Sequence, residues 1–293
     1  MIIGSRESKL AMKQTEMFMD RMKRFRPEIE FKVIGMKSLG DIDLTSPLNE
    51  LNNIGAFVKE LDDAILRKEI DVSVNSLKDI PIDTVPGIII GAILPRNSVE
   101  DVILPCSLDD LPIGATIGTA SVRREAELKS IRPDLQTKPL RGNIHTRLAK
   151  LDSGECDAII LAKAGLDRMG IVRPMFILDP EVFIPAPAQG AIAVECRSDD
   201  TATLALLKEI DDAETRKAVE IERAIMSYMG AGCSSPVGIN VKFKNNGYFV
   251  KGVSFSFTVE PRRLSVVIPV DYTSEDLKRI ADYLIGKIQD LKL

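Results

Sequence analysis

The sequence predicts an α/β protein of two lobes joined by a hinge, followed by a small C-terminal α+β domain. Three observations carry this prediction. Short apolar runs of strand length alternate with helical stretches up to about residue 210, the pattern of mostly parallel sheets with crossover helices. Two punctuations, Pro95-Arg96-Asn97-Ser98 and Pro185-Ala186-Pro187-Ala188-Gln189-Gly190, read as an outward and a return crossing between the lobes. After Asp211 the texture changes to one long helix, three strand-like runs and a last helix. The expected boundaries are 1–94 with 191–210 for the first lobe, 95–190 for the second and 211–293 for the last domain. A chain of 293 residues has room for two or three such units.

In order, Met1 to Gly4 reads as a buried strand and Ser5-Arg6-Glu7-Ser8 as a turn. Leu10 to Arg24 reads as a helix, with Ala11, Phe18, Met22 and Phe25 on one stripe. A strand from Glu30 to Met36 leads into Lys37 to Gly55, which is rich in Gly, Asp, Asn and Pro and has no period. A loop of that length in a compact domain is usually functional. Phe57 to Lys68 is a helix, and Asp71 to Val74 a strand that runs into Asn75-Ser76-Leu77-Lys78-Asp79-Ile80-Pro81. Ile88 to Leu94 is wholly apolar, as a strand buried on both faces would be. Then come Thr116-Ile117 (strand), Val122 to Ile131 (helix), Leu135 to Leu140 (strand), Ile144 to Leu151 (helix) and Asp157 to Leu161 (strand). The strand Ala191 to Cys196 and the helix Thr203 to Ile210 return to the first lobe. The last domain comprises a helix from Glu214 to Met229, strands over 237–242, 248–255 and 264–270, and an amphipathic helix from Ser274 to Leu291. Asn245-Asn246-Gly247 marks a hairpin turn. No internal sequence repeat is legible.

Composition narrows the chemistry. The formal net charge is −4 and there is no Trp, which argues against nucleic acid as a partner. No apolar run is long enough to span a bilayer. Met1 to Gln14 lacks the apolar core and cleavage site of a signal peptide. Cys106, Cys156, Cys196 and Cys233 show no CxxC spacing, and His145 is the one histidine. The expectation is a cytoplasmic chain with reduced thiols and no metal site. Acid–base work then falls to carboxylates and lysines.

The most informative stretch is Ile117 to Lys150, with eight Lys or Arg against three Asp or Glu. Gly118-Thr119-Ala120-Ser121 reads as a strand-to-helix turn whose backbone N–H groups could face an anion. Arg123 and Arg124 stand in the first helical turn, where the dipole disfavours cations. Arg141 and Arg147 repeat the arrangement in the next strand–turn–helix unit. Two readings stand: a solvated basic face, or an anion site using the bidentate fork of arginine. Asp79, just after a strand, reads either as a turn cap or as a catalytic carboxylate. Cys233, after Gly230-Ala231-Gly232, reads either as a plain loop thiol or as an attachment point with room around its sulfur.

Motifs across almost the whole chain then resemble the porphobilinogen deaminase family of tetrapyrrole biosynthesis. They are Ile3-Gly4-Ser5-Arg6-Glu7-Ser8-Lys9-Leu10-Ala11, Phe57-Val58-Lys59-Glu60-Leu61, the run from Asp71 to Pro81, Gly118 to Arg124, Leu140-Arg141-Gly142-Asn143 and Thr146-Arg147-Leu148. Asp157 to Leu166, Pro185 to Ala191, Glu222-Arg223 and Gly232-Cys233-Ser234-Ser235-Pro236-Val237-Gly238 complete the set. The resemblance implies two lobes like those of periplasmic binding proteins, and a third domain that carries a dipyrromethane cofactor through a thioether to Cys233. It implies that four porphobilinogen units are deaminated and joined head to tail, and that hydrolysis releases hydroxymethylbilane. The partners implied are porphobilinogen and the growing polypyrrole chain, bound by a monomer.

The resemblance also implies residue roles. Asp79 would be catalytic, holding the pyrrole N–H and the cation left when ammonia departs. Lys78, Ser121, Arg123, Arg124, Gly165 and Cys233 would hold the cofactor. Arg6, Ser8, Lys78, Arg141, Arg147 and Gln189 would bind substrate, whose pyrroles each carry an acetate and a propionate. The chain departs from the family pattern at Ile54 (commonly Lys), Asn75 (commonly His), Ala120 (Ser), Ala231 (Gly) and Ser234 (Gln). The change at Ile54 puts one carboxylate contact in doubt. A bilobal polyanion-binding protein without catalysis would share the crossings and the arginines, but has no use for Cys233, a third domain or Lys78-Asp79. A nucleic-acid-binding regulator would need a helix-turn-helix segment, which the sequence lacks.

Overall fold

A computed structural model of the chain describes residues 1–37, 58–232 and 235–292. The chain begins β1 (Ile2–Arg6), α1 (Lys9–Phe25), β2 (Lys32–Met36), α2 (Lys59–Leu66), β3 (Val72–Ser76) and β4 (Ile88–Ile93). It continues β5 (Asp101–Leu104), β6 (Thr116–Gly118), α3 (Val122–Ile131), β7 (Gln136–Lys138), α4 (Ile144–Asp152), β8 (Ala158–Ala162), α5 (Lys163–Arg168) and β9 (Phe176–Leu178). It ends β10 (Ile192–Arg197), α6 (Thr201–Ile210), α7 (Ala213–Tyr228), β11 (Val237–Lys244), β12 (Gly247–Ser254), β13 (Arg262–Pro269) and α8 (Ser274–Leu284). Two compact units result: residues 1–97 with 190–216, and residues 98–189 with 217–293.

The first unit holds a five-stranded sheet in the order β2-β1-β3-β10-β4. β1, β2 and β3 run parallel, and β10 is antiparallel to both of its neighbours. The second unit holds a sheet in the order β7-β6-β8-β5-β9, with β6 parallel to β7 and β8 and β5 antiparallel to β8 and β9. The two sheets share one topology. In each, the antiparallel strand lies next to a chain crossing, β5 after the outward one and β10 after the return. This repetition has no counterpart in the sequence. Both faces of each sheet are covered. Ile3, Val72, Val74 and Val194 pack with Phe18, Met22 and Leu207 on one side of the first sheet, while Leu61, Ile65, Ile70 and Ile88 form the other core. In the second unit Ile117, Ile160 and Leu128 belong to one core, and Leu104, Ile159, Leu161 and Leu148 to the other.

Several expectations change. β5, β9 and α5 were not legible, because each is short and β5 opens on the charged Asp101. Ser5 and Arg6 belong to β1 instead of a turn. β4 is an edge strand, so Ile89 is 38% exposed and not buried. The hairpin turn is Asn245-Asn246, both at positive φ (53° and 56°), while Gly247 already pairs with Lys244. α8 stops at Leu284, since Gly286 takes a positive φ of 81°. The sheet β11-β12-β13 is an antiparallel meander.

β11 lies against the segment at Ile184-Pro185, where Ile239 N–H donates to the Pro185 carbonyl at 3.0 Å. A Cβ on Gly238 would stand 2.5 Å from the Ile184 carbonyl oxygen. Gly238→Ala should therefore cost about 1–3 kcal/mol through overpacking against backbone. Urea denaturation checks this, and an unchanged midpoint would contradict the close approach.

Candidate functional site

The end of β3 is held residue by residue. Asn75 Nδ2 donates to Glu195 Oε2 of β10 at 3.0 Å. Ser76 Oγ accepts from Gln14 Nε2 of α1 at 2.8 Å. Leu77 N–H donates to the Ala191 carbonyl at 3.1 Å. The chain then makes a single 3-10 turn, Leu77–Asp79, closed by the Ile80 N–H on the Leu77 carbonyl. Lys78 and Asp79 are partly buried there. Among the described residues the Asp79 carboxylate accepts no hydrogen bond. Its turn closes on backbone alone, so the capping role has no support. Arg6 ends the neighbouring parallel strand β1, so it stands at the same carboxyl end of the sheet as Lys78-Asp79. In open α/β sheets that is the ligand-binding end. Ser8 caps α1, its Oγ accepting from Ala11 N–H at 3.2 Å. Gln14 and Glu195 escaped the sequence reading, because their partners lie 62 and 120 residues away in sequence.

In the second unit the arginines of α3 have an anion already. Asp101, at the head of β5, is fully buried. Its Oδ2 accepts from Arg123 Nη2 at 2.6 Å. Its Oδ1 accepts from Arg124 Nη2 at 2.7 Å, Arg124 Nε at 3.1 Å and Gln189 Nε2 at 3.0 Å. Arg123 Nη1 also donates to Glu127 Oε2 at 2.7 Å and to the Ile184 carbonyl at 2.9 Å. Arg124 Nη1 reaches the Ile160 carbonyl. Burial alone would push the Asp101 carboxyl up, but the two guanidinium groups outweigh it and hold it well below the usual carboxylate range. Burial pushes Glu127 up to about 7, although Arg123 pulls the other way. The expectation of an open anion turn at Arg123 and Arg124 is thus altered: they are 4% and 7% exposed and serve an internal carboxylate. Among the described residues, Arg123 Nε is the one of their guanidinium nitrogens left buried without a partner.

The other expected residues fall as follows. Ser121 caps α3 and accepts from Arg124 N–H. Arg141 is partly buried ahead of α4, and Arg147 Nε donates to the Gly142 carbonyl at 2.8 Å. Gly165 is buried in α5. Gln189 is 1% exposed and is turned to Asp101 and to the Val99 carbonyl. Cys233, Ser234 and Ile54 lie outside the described residues. A Cβ on Gly230 or Gly232 would meet no described atom within 4 Å. No group of three His, Cys, Asp or Glu among the described residues is placed to hold a metal. None of their helices is long and apolar enough to cross a membrane.

The Asp101 hub gives a direct prediction. Asp101→Asn removes the charge that two buried guanidinium groups share, and breaking a buried pair from one side costs about 3–5 kcal/mol. A depressed carboxyl stabilises the fold above its unfolded value of 3.8 and loses that stabilisation only as pH falls through the lower folded value. The loss in Asp101→Asn should therefore be full at neutral pH. Urea titration measures it, and a loss within the ~1 kcal/mol of an exposed ion pair would contradict a buried hub.

Similarity to known proteins gives the family. The family model described as "Porphobilinogen deaminase, dipyromethane cofactor binding domain" matches residues 1–205. That span contains Asp79, Lys78, Ser121, Arg123, Arg124 and Gly165 but not Cys233. The porphobilinogen deaminase of Brevibacillus brevis is 45% identical over 240 residues, 80% of this chain and 78% of that protein. Those of Desulforamulus reducens and Streptococcus sanguinis are 44% and 42% identical, over 86% and 84% of this chain and 82% and 83% of theirs. The chain belongs to the porphobilinogen deaminase family.

Proposed function

We propose that the chain is the transferase that deaminates porphobilinogen and joins four units head to tail, releasing hydroxymethylbilane and ammonia. The observation that carries the chemistry is Asp79, a partly buried carboxylate at the carboxyl end of β3 with no described partner. An acid left uncommitted can hold the substrate pyrrole N–H and face the positive charge that develops on the ring as ammonia leaves. A fixed charge already in place where the cation develops stabilises the transition state without reorganising, and such preorganisation usually contributes most to catalysis. Lys78 and Arg6, at the same sheet end, would take the substrate's carboxylates, with Ser8 beside them. Arg141 and Arg147 would serve the growing polyanion, whereas Gln189, buried on Asp101 and the Val99 carbonyl, belongs to the internal network instead.

A dipyrromethane held on Cys233 supplies the pyrrole end to which new units are added. The small-residue run Gly230-Ala231-Gly232 just before it supports that attachment, and Gly165 would line the same cofactor. Arg123 and Arg124 enter this reading as a rigid frame near Ser121, with the unpartnered Nε of Arg123 as a donor still to be used. The antiparallel meander β11-β13 supports a third, cofactor-carrying domain over 211–293. The chain would act as a cytoplasmic monomer; the three described cysteines, all unpaired, support a reducing compartment, and the net negative charge argues against a nucleic-acid partner.

Two outcomes are expected. In single-turnover ammonia release by cofactor-loaded protein, Asp79→Asn should fold and be nearly inactive. Asp79→Glu should be slower by about a hundredfold, as expected for a ~1 Å displacement. Wild-type release by Asp79→Asn would return Asp79 to a structural role. Cys233→Ala should bring the intact mass down to that of the bare chain; an adduct mapped to Cys106, Cys156 or Cys196 would move the attachment.

A further inference from the structure

We propose that Asn75, Ser73 and Glu195 form a buried positioning element that fixes the Lys78-Asp79 turn, with Asp62 of α2 as its acid partner. This rests on the reading of Asp79 as the catalytic carboxylate. Along β3, Val72 and Val74 enter the core with Phe18 and Met22, so Ser73 and Asn75 face the opposite side. Glu195 faces that side too, because its neighbours Val194 and Cys196 are in the first core. Asn75 Nδ2 donates to Glu195 Oε2 at 3.0 Å and to Ser73 Oγ at 3.1 Å. Ser73 Oγ donates to the same Glu195 oxygen at 3.3 Å. All three side chains are buried.

The geometry makes this a register lock. Ser73 stands opposite Glu195, whereas Asn75 stands opposite Ala193. The Asn75–Glu195 bond is therefore diagonal across the antiparallel pair and resists sliding of β3 along β10, where a slip would carry Asp79 with it. Gln14 holds Ser76 from the other face of the sheet.

Asp62 makes the lock sensitive to pH. It is 7% exposed, and its Oδ1 is buried without a partner among the described residues. The charges that bear on it are acidic: Glu195 from β10, and Asp63 and Glu60 from α2 itself. Burial first, then these carboxylates, push its carboxyl up to about 7. The fold thus favours the protonated acid below that value and loses it as pH rises through it. Above it, Asp62 carries a second buried negative charge that repels the carboxylate of Glu195.

The test is single-turnover ammonia release by cofactor-loaded protein on either side of the Asp62 value. Wild type should slow on the alkaline side with little change in KM. Asp62→Asn keeps a donor and cannot ionise, so it should lose the alkaline decline. Asn75→Asp sets an acceptor against Glu195; it should be about tenfold or more slower on the alkaline side, the scale of one charge-assisted bond. It should recover on the acid side, where the introduced carboxyl is protonated and donates again. An alkaline decline that persists in Asp62→Asn, or a wild-type rate for Asn75→Asp on both sides, overturns the proposal. Asp79→Asn run alongside separates the two readings. If it is inactive while Asn75→Asp behaves as wild type, only the positioning role fails. If it is active, the catalytic reading fails and takes this one with it.

Discussion

The second unit depends on one buried anion. Asp101 gathers two guanidinium groups and the Gln189 amide, and through them it ties the head of β5 to α3, to the Ile160 carbonyl of β8 and to the return crossing. Two arginines in the first turn of α3 would be unfavourable against the helix dipole. An internal carboxylate offsets that, and mutual charge compensation explains how Asp101, Glu127, Arg123 and Arg124 are buried together. Such a network is costly to break from one side and is satisfied only as a whole.

The same constraint organises the other acids. Glu222, fully buried in α7, accepts the Ala188 N–H at 2.6 Å and the Val241 N–H at 2.7 Å. It thereby holds Ala188 at a positive φ of 60°, a conformation unfavourable for alanine. Glu195 takes Asn75 and Ser73. Glu127 takes Arg123 and the Ile184 N–H. Unlike these committed carboxylates, Asp79 has no hydrogen-bond partner among the described residues. A site that must bind a new pyrrole in every cycle needs an acid of that kind.

The alternation of strands and helices was legible because local period and Gly, Pro and Asn punctuation fix it. The two short strands β5 and β9 were not, since three or four residues carry no period and Asp101 masks the start of a strand. The likeness of the two sheets could not be read either, because topology repeats here without sequence repeating. For the site, Lys78-Asp79 at a strand end was visible from local order alone. The clustering of arginines on α3 was visible too, but their anion was not: Asp101 lies 22 and 23 residues upstream, and only the fold brings it under the helix. Asn75 shows the same limit. Read alone it is a departure from a common histidine, and its meaning comes from Glu195 across the sheet.

The central claim is that Asp79 supplies the carboxylate for the chemical step. Chemical rescue tests it most directly. In single-turnover ammonia release from porphobilinogen, cofactor-loaded Asp79→Ala should be inactive in plain buffer and should regain activity in proportion to added formate, which can enter the space left by the side chain. Ammonia release at the wild-type rate without any added carboxylate would contradict the account.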